Sequence, residues 1–133
     1  MKGLDTNILV RYFVQDDSVQ GEKATQFIEK TVAEGENCFI NNIVLCELVW
    51  VLESAYDYSK EEIADLMEKL LRTSMFNFES KDSAWWSLRE YKNSLADFSD
   101  CLISRQNKTH GCQETVSFDK GVKGVMFSQR CTT

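Results

Sequence analysis

NCFINNIVLCELVWVL, residues 37–52, sets a short strand-like run, NCFIN, before a ten-residue segment in which only Glu47 is not apolar. That segment, IVLCELVWVL, is too short for a membrane span, which needs about 20 apolar residues. Its flanks favour a helix: Asn41 and Asn42 supply an N-cap candidate, and the apolar pattern continues past strand length toward Tyr56. The helical neighbours of Glu47 at three and four residues are Ile43, Val44, Trp50 and Val51, all apolar, so this reading sets Glu47 in a core. An ionised, unpaired carboxylate there is strongly destabilising. Glu47 therefore requires a partner or a pocket.

The alternation of strand and helix extends in both directions. Met1 to Leu4 reads as a first strand, followed by a helical apolar set at Ile8, Leu9, Tyr12 and Phe13. Ser18 to Gly35 reads as a helix with Ala24, Phe27, Ile28, Thr31 and Val32 on its inward side and Gly35 as its stop. After the Glu47 helix, Ser59-Lys60-Glu61-Glu62 has the capping-box pattern and opens a helix that turns Ile63, Leu66, Met67, Leu70 and Leu71 inward. Met75 to Phe78 is a third strand. Two helices follow, Lys81 to Leu95 and Asp97 to His110, the second ended by Gly111. Thr115 to Phe118 reads as a fourth strand and Gly124 to Phe127 as a fifth. With no hairpin signal and no proline, the pattern is that of an α/β protein: a parallel sheet of four or five strands covered by helices. Such sheets place ligands at the carboxyl ends of their strands.

A chain of 133 residues fits a single domain, 1–133, that buries roughly two thirds of its unfolded surface. No signal peptide, repeat or transmembrane segment is present, which makes the cytoplasm the default location. The five cysteines, Cys38, Cys46, Cys101, Cys112 and Cys131, lack a C-x-x-C spacing and read mostly as buried thiols. A net charge of −6 argues against a general basic surface for nucleic acid. The charge is uneven: residues 1–100 carry 10 basic and 19 acidic groups, residues 101–133 carry 5 and 2, so an anion can be met locally at the C-terminal end.

Four acids remain to be explained beside Glu47. Asp5 follows the first strand and fits both a site residue and an N-cap. Asp119, in TVSFDKG, follows a later strand and also fits turn chemistry. Asp97 and Asp100, in LADFSDCLIS, share one face near a helix start, where capping and the helix dipole give them a sufficient structural account. Taken together, Asp5 and Asp119 at strand ends with Glu47 and Asp100 on flanking helices would surround one cleft. Four uncompensated carboxylates repel, so the arrangement makes sense chiefly around divalent cations. Oxygen ligands suit Mg²⁺ or Mn²⁺, whose chemistry supports in-line phosphodiester hydrolysis. Rival chemistries are poorly supplied. His110 beside Gly111 reads as a helix C-terminal partner, and no phosphate-cradling glycine motif or nucleophile elbow occurs. The Trp85-Trp86 pair reads as core.

The residues LDTNILVRYF, IVLCELVWVL, ADFSDCLIS and TVSFDKG, in that order over nearly the whole length, make the chain resemble PIN-domain ribonucleases, in particular small toxins of the VapC type. The resemblance implies a three-layer α/β/α PIN-like fold and a Mg²⁺- or Mn²⁺-dependent endoribonuclease. By match to the motifs, the catalytic and metal-binding acids fall on Asp5, Glu47, Asp100 and Asp119, with Asp97 as a further metal residue and Asn7 and Ser117 as polar support. It also implies an RNA substrate, a homodimer and a cognate VapB-type antitoxin that inserts a segment into the active-site groove. The tail GVMFSQRCTT departs from the usual last strand. Other readings stay open: a housekeeping RNA-processing PIN nuclease, an inactive PIN binding module, or a phosphohydrolase using Asp5 as nucleophile. The last wants a second Asp two residues on, where Asn7 stands.

Overall fold

Three short parallel strands organise the first part of the chain: β1 (Lys2–Gly3), β2 (Cys38–Ile40) and β3 (Phe76–Phe78), in the order β1-β2-β3. They belong to a computed structural model that describes residues 1–118 and forms two compact units, Met1–Lys81 and a second beginning at Asp82. Cys38 is aligned with both Lys2 and Phe76, and Phe39 with Gly3 and Asn77. Two helices join each consecutive pair of strands: α1 (Thr6–Val14) and α2 (Ser18–Ala33) between β1 and β2, then α3 (Asn42–Ser54) and α4 (Lys60–Arg72) between β2 and β3. Parallel strands require such crossovers, because a tight turn can only reverse the chain.

Local chemistry sets the ends of these helices. Asn41 caps α3 by accepting the Val44 N–H at 2.9 Å. Ser59 and Glu62 exchange reciprocal bonds in the expected capping box of α4, and those bonds hold the Glu62 carboxyl below its usual range. After α2, Gly35 at φ +81° donates to Val32 and Glu36 donates to Thr31, the paired bonds of a Schellman motif. The core of this unit is aliphatic. Leu9, Ile28, Ile40, Leu45, Leu48, Leu52, Ile63, Met67, Leu70 and Leu71 are fully buried, each contributing roughly 1.5–3 kcal/mol by removal from water.

The second unit contains α5 (Lys81–Asn93), which begins at the boundary, and α6 (Phe98–Thr109). Tyr91 and Phe98 meet edge to face at 6.1 Å, and the Arg105 guanidinium lies 5.3 Å from the Trp86 ring centroid. Gly111, at φ +98°, ends α6 with the same Schellman pair of bonds as Gly35.

Several expectations are corrected. Among the described residues the sheet has three strands, not four or five. Thr115 makes only a single-residue bridge, while Val116 is 73% and Phe118 100% exposed, so the expected fourth strand lacks a buried face. Gly124–Phe127 lies outside the described residues. Phe27 and Val32, expected on the inward side of α2, are exposed; Gly21, Ala24, Ile28 and Thr31 are its buried residues. Cys38 and Cys101 are buried as expected, but Cys46 is half-buried, Cys112 exposed, and Cys131 outside the described residues.

The α1–α2 junction generates a prediction. Gln15, at φ 59°, folds its amide back onto the Arg11 and Tyr12 carbonyls, and a Cβ at Gly21 would fall 2.6 Å from Gln15 Oε1 and 3.2 Å from the Arg11 carbonyl. Ala in place of helical Gly ordinarily stabilises by about 1 kcal/mol. Here overpacking, typically about 1–3 kcal/mol, opposes that gain. Gly21→Ala should therefore lower the thermal midpoint, and an increase measured by calorimetry would show that this junction is not tightly packed.

Candidate active site

Because the strands are parallel, their carboxyl ends emerge on one edge of the sheet, and the residues following them gather there. After β1 comes Asp5, after β2 come Asn41 and Asn42, and after β3 comes Glu79. Asp5 is the N-cap residue of α1, as its local reading anticipates. Its Oδ1 accepts the Thr6 N–H at 2.8 Å, where an ordinary cap accepts from the second or third helical residue.

Thr6 also supplies the partner that Glu47 requires. Its hydroxyl donates to Glu47 Oε1 at 2.6 Å, across 41 residues of sequence. Such a length belongs to a charge-assisted O–H···O⁻ bond. One buried threonine thus holds two exposed carboxylates, Asp5 through its backbone and Glu47 through its side chain. Among the described residues Asp5 Oδ2 and Glu47 Oε2 receive no protein hydrogen bond, which leaves one oxygen of each acid available. Thr6 was not among the expected site residues. The signal that points to it is its place directly after Asp5 at a strand-to-helix junction.

The surroundings of Glu47 differ from the sequence expectation. Ile43 and Trp50 are 70% and 67% exposed, so Glu47 lies on the outer face of α3 and not in a core. The buried side of that helix is Val44, Leu45, Leu48, Val49 and Leu52. A run that is apolar nearly all round cannot distinguish its two faces by composition. The penalty for burying Glu47 therefore does not arise, while its need for orientation is met by Thr6.

Glu79 is a further acid on the same sheet edge that sequence reasoning passed over. It accepts the Asn42 N–H at 3.0 Å and so places negative charge at the N-terminus of α3. In the second unit, Asp97 occupies the N-cap position of α6 and Asp100 its first turn. The Asp97 side chain makes no capping bond, contrary to the expectation that capping would occupy it. Asn7 is exposed and Ser117 half-buried. Asp119 lies outside the described residues. Among the described residues no three His, Cys, Asp or Glu side chains form a metal-holding group. His110 caps α6, its Nδ1 3.0 Å from the Gln106 carbonyl, in keeping with a structural role.

The donor chemistry of the Thr6-linked pair fits a hard divalent cation. Mg²⁺ is commonly held by one or two carboxylates and completes its shell with water and substrate phosphate. The acids are exposed, consistent with access for a large substrate.

The PIN domain family matches residues 3–127, a span that includes Asp5, Glu47, Asp97, Asp100 and Asp119. The chain is also similar to the VapC ribonuclease of Aquifex aeolicus (strain VF5), with 34% identity over 127 residues, covering 96% of this chain and 93% of that protein. The family match over residues 3–127, together with 34% identity across nearly the whole chain, establishes that the chain belongs to the PIN-domain family.

Proposed function

We propose that this protein is a Mg²⁺- or Mn²⁺-dependent endoribonuclease and the toxin of a toxin–antitoxin pair, acting in the cytoplasm as a single PIN domain over residues 1–133. The observation that carries the proposal is the Asp5–Thr6–Glu47 arrangement at the carboxyl edge of a parallel sheet. The similarity to a VapC ribonuclease supports the choice of RNA as substrate. Asp5 and Glu47 would hold the cation, with Asp97, Asp100 and Asp119 as the remaining acids of the site. The chemistry such an ion supplies is Lewis acidity toward water and phosphate. The protein's own part is orientation: Thr6 fixes one oxygen of each acid, and the other accepts no hydrogen bond among the described residues. A VapB-type antitoxin is the proposed partner, by resemblance to VapC proteins. No helix among the described residues is long and apolar enough to cross a membrane.

The metal requirement is tested directly. Purified protein should cleave single-stranded RNA with Mn²⁺, stop in EDTA and resume on adding excess Mn²⁺; cleavage that survives exhaustive chelation refutes the mechanism. In the same assay Asp100→Asn should lose about a hundredfold or more, in the range of other preorganised charge contacts. Asp97→Asn should lose roughly ten- to a hundredfold, as for groups that support a metal site indirectly.

Thr6 gives a sharper prediction. Thr6→Val keeps the shape and removes the hydroxyl, so Glu47 loses its restraint while the Asp5 backbone bond persists. Activity at limiting Mn²⁺ should fall roughly tenfold to a hundredfold and recover in part at saturating Mn²⁺. Thr6→Ser should retain activity. A loss that is indifferent to Mn²⁺ concentration would mean that Thr6 serves the fold and not the site.

A homodimer is proposed by resemblance to VapC proteins. Light scattering should report a dimer at micromolar concentration. A monomeric wild type would remove the proposal.

A further inference from the structure

A groove of about 560 Å³ runs between α1 and α2, with Asn7, Ile8 and Arg11 on one wall and Gln20, Lys23 and Phe27 on the other. The α2 residues recur at helical spacing and present one continuous face about 10 Å long. Asn7 and Ile8 follow Asp5 by two and three residues, so the groove opens beside the first acid of the site.

Its chemistry departs from that of the chain as a whole. The protein carries a net charge of −6, yet the groove is lined by two cations and no carboxylate. Lys23 takes part in no ion pair among the described residues. Arg11 is bound to Asp16 at 3.0 Å and lies 3.5 Å from the Tyr56 hydroxyl, both through Nη1, so the rest of its guanidinium fork is not used by these contacts. At the far end the Phe27 ring is 41% exposed, and Lys2 Nζ lies 5.7 Å from its centroid, adding a third cation to the aromatic end.

We infer that this groove is a single-stranded RNA subsite beside the Asp5–Glu47 pair, in which Arg11 and Lys23 contact backbone phosphate and Phe27 stacks a base. Cations that follow the backbone beside an exposed aromatic platform are how single strands are held without sequence readout. An unstacked strand is needed, because a base within a duplex cannot reach the ring. Charge complementarity selects this occupant: an anionic polymer meets local cations on a chain that elsewhere repels it. The inference rests on the ribonuclease reading above.

The test uses the full chain and a fluorescein-labelled single-stranded RNA oligonucleotide of mixed sequence, with anisotropy read in EDTA across a salt series and cleavage read in Mn²⁺. Phe27→Ala should weaken binding roughly five- to a hundredfold, the range for one stacked base, and Phe27→Trp should retain it. Lys23→Glu should weaken binding and make the log–log salt slope shallower by about 0.7 or more, the value for one single-strand phosphate contact. Lys69→Glu, the same charge change at an exposed position on α4, should match wild type. Binding and cleavage by Lys23→Glu and Phe27→Ala that equal those of Lys69→Glu overturn the subsite and leave the groove to a polypeptide. If wild type cleaves single-stranded RNA and the groove variants bind it unchanged, the subsite alone falls. A wild type that neither binds nor cleaves such RNA removes the ribonuclease reading and the subsite together.

Discussion

The central strand β2 is the constraint on which the first unit depends. Only three residues long, it is bonded on both sides, and its parallel register with β1 and β3 sends all three carboxyl ends to one edge. A one-residue slip in that register would turn Cys38 and Ile40, both fully buried, toward the opposite face of the sheet. The apolar contacts of those two side chains therefore help hold Asp5, Asn42 and Glu79 along one edge. Core packing and site assembly are here the same requirement, because strands this short have little other means of fixing their alignment.

At that edge each polar group has its own role. Glu79 is taken up by the start of α3, and Asn41 caps the same helix, so both stabilise the element that carries Glu47. Among the described residues Asp5 and Glu47 each keep one oxygen without a hydrogen bond, because Thr6 uses only the other one. A lysine or arginine in place of Thr6 would neutralise the two acids. A hydroxyl and an amide orient them and leave their charge intact, which is the condition for attracting a cation.

The groove between α1 and α2 fits the same economy of charge. An acidic protein that acts on a polyanion needs its cations concentrated where the strand must lie and can tolerate negative charge elsewhere. Arg11 and Lys23 meet that need from two helices that the chain builds directly after β1, so the proposed subsite and Asp5 arise from one stretch of sequence. Gly21 matters to the same stretch, since the absence of a side chain lets α2 approach the end of α1.

The amino-acid sequence by itself determined the element order, the parallel α/β class and most helix ends, since these follow from short-range periodicity and from caps such as Ser59–Glu62 and Gly35 that act within a few residues. It also marked Asp5 as the residue that leaves the first strand. What only the tertiary structure decided was which face of α3 turns inward and which distant groups meet. The segment IVLCELVWVL is nearly uniform in hydropathy, so nothing local exposes Ile43 and Trp50 while burying Leu45 and Leu48. The partner of Glu47 lies 41 residues away, and the Asp97 side chain remains uncapped although its backbone holds the cap position. Hydrogen bonds across such separations depend on the packing of whole elements against each other, and periodicity along one segment carries no information about that packing.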